Sequence, residues 1–318
     1  MRILELFAGI GGVAAAARSL GPPVECVEAF DIDTAAATAY RANFDTPYHT
    51  AELSSLPRQL LARSEADLWW MSPPCLPHTV RGARRDLEDP RSAAFQRLVA
   101  EASVLRPKAV VVENVPGFAT SLACRHFEEA LAAAGYATKR LHVCPTQFGW
   151  PNRRDRVYVV ATREDVAAGA FEVDWKTHTP PLSSFIESGL RRADAAGLWL
   201  DPLIAQKYEP ALDRVDATDP AACTACFGAS YGKSILHAGS YLITPEGLRR
   251  FSPREVARQL GFPDTFLLPE GPSPRTAWRL LGNSLSIPIV SGLLRSLYDH
   301  LRATPIGGSA DATSRPAK

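Results

Sequence analysis

Lysine is scarce in this chain. Six of its 318 residues are Lys against 29 Arg, and only two are Met. The formal net charge is +1, which excludes a histone-like polycation and leaves nucleic-acid binding neither demanded nor forbidden. A guanidinium offers a rigid fork of donors for phosphates and base edges, although a GC-rich genome leaves the same arginine bias. No run of about 18 apolar residues is present, so no membrane span is expected. The opening MRILELFAGIGG passes too quickly into a structured pattern to be a signal peptide. The six cysteines, at 26, 75, 124, 144, 223 and 226, are too scattered for a disulfide framework. Reduced thiols and a cytoplasmic location are therefore expected. Cys223 and Cys226 form a C-x-x-C with no second pair or clustered His to complete a zinc site, so no metal is expected.

What is present supports a globular protein. Hydrophobic residues at 46% are enough for a full core, and the length suggests about two domains or one with a large insertion. Residues 2–7 read as a buried strand stopped by a Gly turn, 13–20 as a helix, 24–31 as a strand and 34–43 as a helix. Further strands are expected at 67–71, 109–114, 139–144 and 156–162, with helices at 91–105 and 121–134. This alternation predicts an α/β chain with a doubly wound parallel sheet. Over 170–250 the pattern changes to Pro clusters and short strands. From 251 helices return, the first opened by a capping box of Ser252 and Glu255, with others at 276–281 and 287–301. The tail 304–318 is small and polar and is expected to be disordered.

In α/β sheets ligands bind at the carboxyl ends of the strands. The loop Phe7-Ala8-Gly9-Ile10-Gly11-Gly12 stands at such an end, and Asp31 follows about 20 residues on, where ribose hydroxyls would be held. Alone, this suits a dinucleotide enzyme or an adenosylmethionine site equally.

The strand DLWWM runs into Ser72-Pro73-Pro74-Cys75, where two prolines fix the backbone before a cysteine at a strand end. A catalytic nucleophile is presented in such places, whereas most cysteines, such as Cys26, Cys124 and Cys144, are buried apolar residues. The run AVVV ends in Glu113-Asn114-Val115. A carboxylate after four apolar residues is costly unless it is used or paired. Arg154 and Arg156 share one face of an extended segment, which suits either a site or a solvated charge run.

The Gly loop, Pro-Pro-Cys, Glu-Asn-Val, Arg-x-Arg and a late Gly282-Asn283-Ser284 come in the order used by the cytosine-5 methyltransferase family, which the chain resembles over 1–162 and 220–301. Within it the chain is most similar to the tRNA-aspartate branch, a group first named as DNA methyltransferase homologues. Glu5-Leu6 opens the first motif where most DNA enzymes carry Asp. The run Thr79, Gly82, Asp86, Asp89, Arg91 follows the branch spacing, and Cys226-Phe227 with Tyr231-Gly232, Ile235 and Gly239-Ser240 resembles its Cys-Phe-Thr region. Departures are Leu76 for the family's Gln, His78 for the branch's Phe and Gly228 for its Thr.

The resemblance implies a Rossmann-like methyltransferase domain of 1–162 plus 251–303, interrupted by a target-recognition domain at 163–250. It implies Cys75 as nucleophile on cytosine carbon 6, with Arg154 as its anion-stabilising partner. Glu113 would sit at ring N3 with a raised pKa, and Arg156 at the base carbonyl. The implied cofactor is S-adenosylmethionine, held by Phe7, Gly9, Gly11, Asp31, Ile32, Glu52 or Leu53, Asn283 and Ser284. The implied partner is nucleic acid, either the anticodon region of tRNA or DNA, with the target base flipped from its stack. Arg81, Arg84 and Arg85 are read as a phosphate clamp or a solvated loop. The C-x-x-C falls in the recognition part, as a structural element, a nucleic-acid contact or a redox-sensitive pair. A catalytically silent adenosylmethionine-binding protein is the alternative of another class, and it predicts loss of the nucleophile or its acid.

Overall fold

The structure is a computed structural model that describes residues 1–75, 86–165, 171–177, 180–193, 195–269 and 273–303. Arg81, Arg84, Arg85, Leu76, His78, Thr79, Gly82 and the tail lie outside the described residues. The chain opens with β1 (Arg2–Leu6), α1 (Gly12–Leu20), β2 (Glu25–Asp31), α2 (Thr34–Asn43), β3 (Tyr48–Thr50) and α3 (Arg58–Arg63). It continues through β4 (Leu68–Met71), α4 (Ala93–Leu105), β5 (Ala109–Asn114), α5 (Leu122–Ala133), β6 (Tyr136–Val143) and β7 (Arg156–Arg163). These seven strands form one sheet in the order β3-β2-β1-β4-β5-β7-β6.

The sheet is parallel except at β7, which runs antiparallel to both β5 and β6. The physical reason is the link. Residues 144–155 hold no helix long enough for a crossover, so β6 returns directly as β7. β5, AVVVEN, is buried at every position, as a strand covered on both faces must be. β3 and α3 were not expected, because three and six residues are too few to show a period.

Beyond β7 the chain forms α6 (Pro202–Tyr208), β8 (Arg214–Val215), β9 (Tyr241–Thr244) and β10 (Gly247–Arg250). The three strands make a second sheet in the order β10-β9-β8. Then come α7 (Pro253–Gln259), α8 (Arg275–Gly282) and α9 (Ile287–Ala303). The Ser252 hydroxyl accepts the Glu255 N–H at 3.1 Å and Glu255 Oε2 accepts the Ser252 N–H at 2.8 Å, which closes the capping box. Helices α8 and α9 together are apolar enough over one window to suit a membrane, but they are separate helices whose apolar faces are buried in the core. One continuous apolar core holds Val13 and Ala16 of α1, Leu293 and Leu297 of α9, and Phe227, Tyr231 and Leu242 from the chain around the small sheet.

Candidate active site

β1, β4 and β5 are parallel neighbours, so their carboxyl ends share one edge of the sheet. Phe7, Ser72 and Glu113 therefore emerge side by side. Because β7 runs the other way, it begins at the edge where β5 ends, with Val157 opposite Asn114. The reversed strand is thus what brings the Arg-x-Arg motif to Glu113. All of them line a cavity of about 530 Å³, with Cys75 and Arg154 in the same wall.

The Pro-Pro turn is tied to β5 by Asn114, whose amide donates to the Pro73 carbonyl at 3.1 Å. This holds Cys75 against the end of the strand. Glu113 is buried, and its Oε1 lies 3.1 Å from Arg156 Nε. Burial pushes the Glu113 carboxyl above the usual range, and Arg156, Arg154 and Ser72 only partly oppose it. Burial likewise pushes the Cys75 thiol up, with the Arg156 charge the leading opposing influence and Arg154 a smaller one.

Arg154 is only 3% exposed. Its Nη1 donates to the Phe227 carbonyl at 3.3 Å and meets Cys226 Sγ at 3.4 Å. Its Nη2 donates to the carbonyls of Gly282 at 3.1 Å and of Ser284. The side chain expected to partner Cys75 therefore bonds the loop at 226–227 to the end of α8. Gly282 explains how that approach is possible: a Cβ there would lie 2.4 Å from the backbone of Gly228 and Ala229.

The same cavity extends over the ends of β1 and β2, where Phe7, Asp31, Ile32, Glu52 and Leu53 face Asn283 and Ser284. Ile32 is 60% exposed, an apolar side chain open to the crevice. The Ser284 hydroxyl is buried without a hydrogen-bond partner. Asp31 accepts the Gly9 N–H at 2.8 Å and the Asp33 N–H at 2.9 Å, and burial raises its carboxyl. Gly9 and Gly11 stand outside the cavity wall. Gly11 has φ +87°, and a Cβ on it would lie 2.5 Å from the Phe44 ring, so the packing of α1 on α2 requires its glycine.

Two contributors, Asp33 and Asn152, were not singled out from the sequence. Asp33 caps α2 and pairs with Arg279 of α8, which ties the crevice rim to the C-terminal helices. Asn152 donates to Thr224 Oγ1 at 2.9 Å and fastens the C-x-x-C segment beside Arg154. Cys226 lies against both arginines. An Asn beside an Arg-x-Arg strand start was the available signal for the second. Among the described residues, no group of three or more His, Cys, Asp or Glu could hold a metal.

Comparison with known proteins agrees with this geometry. The tRNA (cytosine(38)-C(5))-methyltransferase of Schizosaccharomyces pombe is 29% identical over 95% of this chain and 98% of its own length. A DNA (cytosine-5)-methyltransferase of Dictyostelium discoideum is 26% identical over 93% of this chain and 94% of its own. The crystal structure of the S. pombe Dnmt2 methyltransferase superposes with a TM-score of 0.81 at 27% identity, covering 94% of this chain and 98% of that one. The Entamoeba histolytica methyltransferase EhMeth gives 0.83 at 25% identity, covering 95% and 99%. The family model for the C-5 cytosine-specific DNA methylases matches residues 1–196 and 204–299. The chain belongs to that family and is a cytosine-5 methyltransferase.

Proposed function

We propose that this enzyme methylates carbon 5 of a cytosine in tRNA, in the anticodon region, through a transient bond from Cys75 to carbon 6 of the base. The observation that carries the chemistry is the meeting of Cys75, Glu113 and Arg156 in one cavity wall, beside a crevice at the ends of β1 and β2. The choice of tRNA rests on relatives such as the S. pombe enzyme, whose name places its target at cytosine 38 of tRNA. DNA is the second reading, favoured by the Dictyostelium relative. A silent binding protein is disfavoured by the nucleophile and acid standing together.

S-adenosylmethionine suits the crevice and would supply an electrophilic methyl group there. Ile32 offers an open apolar face for a purine, Asp31 an acid at the strand end, and Ser284 an unpartnered hydroxyl. Phe7, Glu52 or Leu53, and Asn283 complete its walls. Gly9 acts through its N–H to Asp31, and Gly11 by letting α1 start close to α2.

Carbon 5 of cytosine is a weak nucleophile. Attack of the Cys75 thiolate on carbon 6 turns the ring into an enamine with its electron pair at carbon 5. Glu113, whose carboxyl burial pushes above the usual range, gives a proton to N3 as the charge develops there. Arg156 holds the base carbonyl oxygen. Once carbon 5 carries its methyl, loss of its proton to a base breaks the Cys75–carbon 6 bond. The thiolate is restored and the N3 proton returns to Glu113. Arg154 holds the walls together through its carbonyl bonds. Residues 163–250 would read the target, and the base must leave its stack to reach the cavity.

The test is incubation with methyl-labelled S-adenosylmethionine and, separately, total tRNA and genomic DNA. Label in tRNA is expected. Label in DNA alone would overturn the tRNA assignment, and label in neither would overturn the activity.

A further inference from the structure

Two guanidiniums, Arg154 and Arg156, stand in the cavity wall with one carboxyl, 3.1 Å from Arg156 Nε. The reaction asks that carboxyl, Glu113, to be protonated. A pair of cations facing a neutral acid would repel each other and draw the proton off it. Cys226 supplies what is missing. Its Sγ lies 3.4 Å from Arg154 Nη1 and 4.0 Å from Arg156 Nη2, and it is not part of the cavity wall. The sulfur touches both cations without touching the space meant for the base.

The sulfur is also fixed in place. The Thr224 carbonyl accepts the Arg153 N–H at 2.8 Å, and the Thr224 N–H donates to the Pro151 carbonyl at 3.0 Å. The Asn152 amide bonds Thr224 Oγ1 at 2.9 Å and the Ala225 carbonyl at 3.2 Å. The segment before Cys226 is stitched to the one that bears the arginines.

We propose that Cys226 is a positioning residue held as a thiolate, the counter-anion that neutralises the Arg154–Arg156 pair and so lets Glu113 carry its catalytic proton. The proposal rests on the cytosine reading above for its consequence, though not for the state of the sulfur. Burial alone would push the Cys226 thiol up, yet the two arginines hold it below the usual thiol range. Cys226, like Glu113, favours the charged form of both arginines. The charged groups facing it are Arg154 and Arg156. Beyond them stand Glu113 at the end of β5, Tyr158 on β7 and Cys75 after β4. From the end of α8 come only the carbonyls of Gly282 and Ser284, on Arg154.

Removing the thiolate takes an anion away from both cations, which lowers the pKa of Glu113 and of Cys75 together. Single-turnover methylation against pH should be measured for wild type, Cys226→Ala and Cys226→Asp. The account predicts that both limbs of the profile move to lower pH in Cys226→Ala, by about one unit for a charge several ångströms away. Cys226→Asp, which keeps an anion, should bring them back. A uniform loss of rate at every pH, or an equal loss in both variants, would overturn the proposal in favour of packing. Thiolate ultraviolet absorbance titrated on Cys75→Ala and on Cys75→Ala with Cys226→Ser decides the sulfur's state without turnover. One thiolate ionising below the ordinary thiol range, absent from the double variant, is expected. Identical titrations would overturn the proposal even if methylation is seen. Methylation of no nucleic acid alongside a confirmed thiolate would locate the failure in the cytosine reading.

Discussion

Arg154→Ala tests the claim that this side chain is a clasp. Replacement strands three buried carbonyls, those of Phe227, Gly282 and Ser284, which now accept from one guanidinium. At roughly 1 to 1.5 kcal/mol for each buried acceptor left unpaired, the loss is about 3 to 4.5 kcal/mol. The guanidinium's absence also leaves a void, which adds to the loss. Against this, the cost of burying the cation disappears. That cost is real, since burial holds the ionisation of Arg154 below its ordinary value and its Nε has no partner. A net destabilisation of about 3 kcal/mol is expected. Urea unfolding at neutral pH measures it, and calorimetry with S-adenosylhomocysteine reads whether the end of α8 still closes the crevice. The variant should bind that ligand more weakly. Less than about 1 kcal/mol of lost stability, with unchanged affinity, would refute the clasp and return Arg154 to the chemistry.

Glu113→Gln should lower the single-turnover rate by about 100-fold or more, because an amide can hydrogen-bond N3 but is too weak an acid to transfer a proton to it, while S-adenosylhomocysteine affinity stays the same. An unchanged rate would remove Glu113 from the mechanism. Glu5 is buried beneath the Gly loop, where it accepts the Val13 N–H at 3.0 Å, and burial pushes its carboxyl up to about 8. Between the ordinary carboxylate range and that value the folded chain keeps a proton that the unfolded chain releases, so stability falls as pH rises through this window. Glu5→Gln should flatten the dependence, with its Tm higher than wild type on the alkaline side; parallel Tm–pH curves would contradict it. Gly11→Ala, which sets a Cβ against the Phe44 ring at a positive φ, should cost about 2 kcal/mol or more in denaturant unfolding, and a neutral result would mean α2 yields easily.

Much of the fold was readable because its signals are local. AVVVEN is a continuous apolar run, Ser252 and Glu255 make a complete capping box, and the Gly loop stands where a strand must stop. The direction of β7 was not readable, since a β-branched run looks the same in a parallel or an antiparallel neighbour. That one strand decides how Arg156 reaches Glu113. The site residues were legible as types at strand ends. What each arginine bonds was not, because the partners of Arg154 lie more than 70 positions away in sequence, at Phe227, Gly282 and Ser284. Cys226 read as half of a C-x-x-C and as part of a Cys-Phe-Thr-like region, and only the folded chain sets it against two cations.

The central claim is that Cys75 bonds carbon 6 of the target base. A tRNA carrying 5-fluorocytosine tests it most directly, because fluorine at carbon 5 cannot leave as a proton does and the bond to the enzyme cannot be broken by elimination. With S-adenosylmethionine present, wild type should form a denaturant-stable adduct that peptide mapping places on Cys75, and Cys75→Ala should form none. An adduct on another residue, or methylation of ordinary tRNA by Cys75→Ala, would contradict the account.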